Sequence, residues 1–165
     1  MASGPFARLS ILVIDNDPHM RKIARGLLTG FPVGRVYEAS DGAQGLEMVH
    51  QFRPDAILTE WEMPMLNGEE MVRLIRNPKT SPFATVPIIV MTAHTQRYQI
   101  HAAIQAGVNE IIVKPFSAKD LLQRLESVVA RPRPFIQIGG YFGPLPRENA
   151  ARAAGAFPRL DTAAG

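Results

Sequence analysis

Five short strand-like runs divide the first 130 residues, and a stretch of helical length follows each one. The runs are Leu9–Ile14, Arg35–Ala39, Ala56–Glu60, Ile88–Met91 and Glu110–Val113. Ile88–Met91 is apolar throughout, as a strand covered on both faces must be. Apolar residues at helical spacing fill the intervals: Met20, Ile23, Ala24, Leu27 and Leu28 before Gly30, then Ala43, Leu46 and Val49 after Ser40 or Asp41. Glu69–Arg76 stops at Asn77-Pro78, and Gln96–Ala106 carries Ile100, Ala103 and Ile104. Leu121, Leu122, Leu125, Val128 and Val129 follow a loosened capping box at Ser117 and Asp120. Alternation of this kind dictates an α/β fold, a parallel sheet with helices on both faces.

Composition narrows the function classes. The chain has no cysteine, so disulfide and thiol chemistry are excluded. No apolar run approaches the roughly 20 residues of a membrane span, and Met1–Phe6 lacks the regions of a secretory signal. A cytoplasmic protein without membrane attachment is expected. Residues 1–130 hold 13 Lys/Arg and 13 Asp/Glu, so the net charge of +3 belongs to Arg131, Arg133, Arg147, Arg152 and Arg159 of the tail. Without a basic face on the body, nucleic-acid binding is not expected.

An open parallel sheet places its site at the carboxyl ends of its strands. There this chain carries Asp15-Asn16-Asp17, Glu60, Thr92-Ala93-His94 and Lys114-Pro115. Acids, a hydroxyl and an ammonium at one edge match phosphoryl transfer to a carboxylate. A nucleophilic acid, acids for a hard divalent cation, and groups for the phosphoryl oxygens are all represented.

The segments carrying these residues are Ile-Leu-Val-Ile-Asp, Pro-Asp-Ala-Ile-Leu-x-x-Trp-x-Met-Pro-x-x-x-Gly, Ile-Ile-Val-Met-Thr-Ala and Gly-Val-x-Glu-Ile-Ile-Val-Lys-Pro-Phe. With their order and spacing, residues 8–130 resemble the receiver domain of two-component response regulators, the chemotaxis type. The resemblance implies a flavodoxin-like three-layer sandwich, five parallel strands in the order 2-1-3-4-5 and five helices. It implies phosphotransfer signalling, not an enzyme, with Mg²⁺ as cofactor. The implied partners are a histidine kinase or phosphotransfer protein and a downstream target. It implies that Asp15, Asn16 and the backbone of Glu62 form the acidic metal pocket, and that Glu60 stands at the phosphoacceptor position. Thr92 and Lys114 become the switch hydroxyl and the phosphate-binding lysine, Glu62 and His94 the modulators of the site entrance. A cis Lys114–Pro115 bond is implied as well.

Two departures stand out against that family pattern. The phosphoacceptor position holds Glu instead of Asp, and the second of the paired acids is Asn16. Glu is longer by one methylene, about 1.5 Å, and in-line attack loses on the order of 100-fold for an error near 1 Å. Asn16 keeps a carbonyl ligand and loses a charge, so Mg²⁺ held by Asp15, Asn16 and Glu60 should be weak or absent. Ile111 replaces the aromatic switch residue of many members. A Glu60–Lys114 pair would imitate part of the phosphorylated state. The expectation is an atypical, stand-alone pseudo-receiver that signals by protein–protein contact. The alternative is a competent phosphoacceptor receiver using Mg²⁺ and Glu60 or another acid. A flavodoxin-like cofactor binder lacks its Gly-rich phosphate loop after the first strand.

The remaining groups have plainer readings. Glu62 and His94 are either an acid–imidazole pair across the entrance or, as preferred, two independent exposed side chains. Asp17 is a helix cap, although it could replace part of the charge missing at Asn16. Trp61 either covers the site or packs, and His19, His50 and His101 lack ligand spacing.

Residues 1–7 form an N-terminal extension, and 131–165 a tail rich in Pro, Arg and Ala. For 131–146 the readings are an arm packed on the domain, an arginine-rich docking segment for a partner or an anionic ligand, or no role. For 147–165 mobility is expected. A tail of this composition cannot build a DNA-binding module with its own core. Output is therefore expected through the fourth helix, fifth strand and fifth helix, a face also available to a homodimer.

Overall fold

In the computed structural model, which describes residues 4–31, 33–93 and 95–147, each apolar run becomes a strand. They are β1 (Ser10–Ile14), β2 (Arg35–Ala39), β3 (Ala56–Glu60), β4 (Ile88–Thr92) and β5 (Glu110–Val113). All pair in parallel, in the order β2-β1-β3-β4-β5. The helices between and after them are α1 (Pro18–Thr29), α2 (Gly42–Phe52), α3 (Gly68–Arg76), α4 (Arg97–Ala106) and α5 (Ala118–Val129). The fold is the flavodoxin-like sandwich expected from the sequence. No helix among the described residues is long and apolar enough to cross a membrane.

Strand periodicity sorts the core into two layers. Leu12, Ile14, Ile57, Ile88 and Val90 face Val49 of α2, Met71, Val72 and Ile75 of α3 and Ala103 of α4. Ile11, Val13, Leu58, Ile89, Met91 and Ile112 face Ala24 and Leu28 of α1 and Leu121, Leu125 and Val128 of α5. Burying each such side chain contributes about 1.5–3 kcal/mol. That burial is what fixes the strand register and hence the positions of the strand ends.

Caps set the helix starts. Asp17, Asp41 and Asn67 each accept a first-turn N–H, and Ser117 with Asp120 completes a capping box. Two inward assignments differ from the periodicity. Ala43 is exposed and Ile23 is 39% exposed. In α2 the buried positions are Gly42, Gly45 and Val49, because the missing side chain of Gly45 lets Ile14 and Met71 close against the helix.

Beyond α5 the tail folds back. β6 (Phe135–Ile138) and β7 (Tyr141–Pro144) pair antiparallel around Gly139-Gly140, a two-residue hairpin turn. The hairpin seats on the turn between α4 and β5. Gly107 there has φ of +98°, and any Cβ at this position would lie 2.5 Å from the Phe142 carbonyl. Only glycine allows both the turn and the approach.

Beneath it, Arg76 is 3% exposed. It donates to the carbonyls of Gly107 (2.8 Å), Ala84 (2.9 Å) and Val86 (2.7 Å), and to Asn109 Oδ1 (2.8 Å). Its guanidinium lies 4.8 Å from the centre of the Phe135 ring. Burial pulls this group down to about 9, the nearby Tyr141 opposing, so it stays charged at neutral pH.

Candidate functional site

The parallel register brings the expected groups to one edge. Ile14 lies opposite Thr59, Glu60 opposite Met91 and Thr92 opposite Val113. The Lys114 amide donates to the Thr92 carbonyl at 2.8 Å. Asp15, Glu60 and Lys114 therefore stand at the carboxyl ends of β1, β3 and β5, with β4 and its Thr92 between the last two. Lys114–Pro115 is cis.

Lys114 bridges the two acids. Its Nζ lies 3.0 Å from Asp15 Oδ2 and hydrogen-bonds Glu60 Oε2. The other oxygens are also met by donors. Asp15 Oδ1 accepts from the Asp17 amide at 2.9 Å. Glu60 Oε1 accepts from the amides of Trp61 (2.9 Å) and Glu62 (3.2 Å). The Asp15 carbonyl takes Arg21 Nη1 at 2.6 Å. Asp15 is 1% and Glu60 7% exposed. For Lys114, burial acts to lower the pKa, but hydrogen bonds and charge from Glu60 and Asp15 outweigh it and hold the ammonium above 10.5. One ammonium against two carboxylates leaves the cluster with a single negative charge.

This donor set does not fit Mg²⁺. A hard cation needs carboxylate oxygens turned toward it. All four oxygens here face an N–H or the ammonium, and Lys114 already sits between the acids. Asn16 is exposed and brings no charge. Among the described residues no group of three or more His, Cys, Asp or Glu converges as a metal site.

The other expected groups are more scattered. Thr92 is buried at the end of β4 and borders a narrow gap with Trp61, Ile100, Ala103 and Ile111. Trp61 packs in the core, 6% exposed. Glu62 gives its backbone amide to Glu60, and its exposed carboxylate accepts from Gln99 Nε2 at 2.6 Å. His94 lies outside the described residues, and so does the tail from 148 onward. Asp17 caps α1, its Oδ1 taking the His19 amide at 2.9 Å.

Sequence reasoning missed a second cluster at the opposite end of β5. Glu110, buried, pairs with Arg147 of the tail, accepts from Ser127 at 2.7 Å and stands 3.8 Å from Arg124. Arg133 donates to the carbonyls of Leu145 and Asn109. Arg147, assigned by the sequence to the terminal mobile stretch, is thus an anchor. The available signal was Gly139-Gly140 between two apolar runs, a hairpin mark.

Residues 11–126 match the family model described as the response regulator receiver domain. The chain is 35% identical over 123 residues to the chemotaxis protein CheY of Pseudomonas aeruginosa, covering 74% of this chain and 98% of that protein. Against CheY-3 of Vibrio cholerae it is 35% identical over 123 residues, covering 74% and 93%. Among solved structures, the receiver domain of a Pseudomonas aeruginosa sensor histidine kinase matches with a TM-score of 0.66 at 28% identity, over 74% and 98% of the two chains. That domain has a magnesium ion coordinated in its active-site cleft. The Vibrio cholerae chemotaxis protein CheY4 matches with a TM-score of 0.65 at 26% identity, over 73% and 98%.

Proposed function

The chain belongs to the response regulator receiver family of two-component signalling, and from that membership we propose that it works as a pseudo-receiver, a binding module whose phosphorylation site is held closed by its own residues. The observation that carries this reading is the Lys114 ammonium bound to Glu60 and Asp15 together.

In a working receiver the lysine receives the incoming phosphoryl group and the acids receive the metal, as the resemblance implies. Here Glu60, taken as the residue at the phosphoacceptor position, extends one methylene further. Its Oε2 engages the lysine, while Oε1 is fixed by two backbone amides. A nucleophile whose two oxygens are both hydrogen-bonded is poorly free to attack, and a misplaced one loses rate steeply. The pair itself supplies negative charge to Lys114, as a bound phosphoryl group would. Output then proceeds by protein contact from one standing state. A histidine kinase or phosphotransfer protein remains a partner on this reading, as a docked protein and not a phosphate donor, beside a downstream target in the cytoplasm. Mg²⁺ has no step in it.

The experiment is restoration. The Glu60→Asp, Asn16→Asp double variant shortens the acid and returns the second metal charge. It should take label from acetyl phosphate in the presence of Mg²⁺ where the parent chain takes none. Failure of the double variant, with its fold intact, would place the defect elsewhere in the site and contradict this reading.

A further inference from the structure

An open cleft of about 360 Å³ lies between the end of α3, the end of α4 and the tip of the C-terminal hairpin. Val86 and Asn109, which bind Arg76 there, precede β4 and β5, so this is the edge of the sheet opposite Lys114. Its charged lining is Arg73, Arg76 and Lys79, with no carboxylate among the described lining residues. The volume falls within the roughly 300–1,000 Å³ of small-molecule sites.

Arg76 is a buried cation whose acceptors are all neutral, three carbonyls and one amide oxygen, and it makes no ion pair among the described residues. Buried charges are normally paired, and a cleft walled by one sign of charge focuses the field that results. Two exposed cations add to it. The Lys79 ammonium has no partner among the described residues. Arg73 gives Nε and Nη2 to Glu69 at 3.3 and 3.1 Å and keeps Nη1. Neutral donors stand beside them. Asn77 Oδ1 takes the Lys79 amide at 3.1 Å, which leaves Nδ2 to donate. Gly139 and Gly140 give no backbone hydrogen bond among the described residues, and a Cβ on either would meet nothing within 4 Å, so the turn is open to a ligand. Phe142 supplies an aromatic wall, its ring centre 5.6 Å from that of Phe135.

We infer that this cleft is a binding site for a small phosphate-bearing molecule of nucleotide size. Its phosphate oxygens take Arg73 Nη1, Lys79 Nζ and the turn amides of Gly139 and Gly140, the kinds of donor that suit a phosphate. Arg76 acts through its field and does not touch the ligand. The organic part lies against Phe142, with Gln105 and Gln137 as hydrogen-bonding partners. Such a ligand contacts the body and the hairpin at once, which makes the tail one wall of a ligand site. The inference goes beyond the reading of Glu60 and is independent of it.

Titration of the isotopically labelled full-length chain in Mg²⁺-free buffer tests this, with ADP, inorganic pyrophosphate and adenosine as separate probes. ADP and pyrophosphate should shift the amide resonances of Asn77, Lys79, Gly139 and Gly140 saturably, and more weakly as salt rises. Adenosine, which lacks phosphate, should shift none of them at the same concentrations. Lys79→Gln should bind ADP about tenfold more weakly, while Lys79→Arg keeps the charge and most of the affinity. Lys79 is exposed, so both variants should fold. No saturable shift from either phosphate probe, shifts confined to other surfaces, adenosine binding equal to ADP, or equal binding of ADP by Lys79→Gln would each overturn the site. Labelling of Glu60 by acetyl phosphate with ADP binding intact would sink the pseudo-receiver and leave this cleft standing.

Discussion

Lys114 Nζ lies 3.0 Å from Asp15 Oδ2 while it hydrogen-bonds Glu60 Oε2, so one ammonium ties the end of β1 to the end of β3 from the loop after β5. All three side chains are largely withdrawn from water, with exposures of 14%, 1% and 9% for Lys114, Asp15 and Glu60. The bridge is a structural clasp across the sheet and, on the proposed reading, the feature that closes the site.

Removing the lysine leaves two buried carboxylates facing each other. Lys114→Met should therefore cost about 3–5 kcal/mol in urea unfolding. Lys114→Met combined with Glu60→Gln removes one of the stranded charges and should recover part of that loss. A cost below about 1 kcal/mol for the single variant would mean that the bridge is solvated and does not hold the site.

The same bridge has a pH signature. The Lys114 pKa is raised above 10.5 in the folded chain by Glu60 and Asp15, against burial. A base whose pKa rises on folding stabilises the fold fully below its unfolded pKa and loses that contribution as pH climbs through the folded value. Stability from this group should be level through neutral pH and fall above about 10.5. Tyr141, raised from 10.0 chiefly by burial, lowers stability over the same alkaline range as its unfolded form ionises first. Comparing denaturant midpoints of parent and Lys114→Met across pH 9–12 separates the two, since only the lysine share vanishes in the variant.

Arg76 predicts how firmly the hairpin belongs to the domain. Four acceptors on two segments, 84–86 and 107–109, converge on its guanidinium, and Phe135 covers it. Arg76→Met should cost about 2–4 kcal/mol because buried carbonyls lose their donor. Arg76→Lys should not rescue it, since a point ammonium cannot replace the planar fork. Ending the chain at Ala130 should destabilise the body by removing the Phe135 stack, read as a lower urea midpoint. An unchanged midpoint on truncation would show that the hairpin rests on the surface without supporting it.

Much of this was readable from the chain. Short strand-like runs identify five strands and 3.6-period patterns five helices, because the sheet is covered on both faces and each helix buries one stripe. The strand-end residues Asp15, Glu60, Thr92 and Lys114 follow from the topology, since parallel strands bring their carboxyl ends to one edge. Arg76 was not legible. An arginine in the last turn of an amphipathic helix reads as a surface residue, and its burial depends on carbonyls up to 31 positions away. Glu110 was hidden for the same reason, because its partner Arg147 lies 37 residues further on. The hairpin was only half visible. An arm packed on the domain is among the readings for 131–146, but its pairing depends on the glycine turn and the contact that Gly107 permits.

Metal affinity gives a direct optical readout. Trp61 is the single tryptophan and its amide binds Glu60. Millimolar Mg²⁺ should leave its fluorescence unchanged in the parent chain and quench or shift it in the Glu60→Asp, Asn16→Asp variant. A saturable response in the parent at such concentrations would mean that Lys114 yields readily to a cation.

The central claim is that Glu60, clasped by Lys114, is not an acceptor of phosphate. Incubation of the full-length chain with radiolabelled acetyl phosphate and Mg²⁺, followed by mass mapping of the labelled peptide, tests it most directly. The account predicts no incorporation at Glu60. Stoichiometric, Mg²⁺-dependent labelling of Glu60 would contradict it.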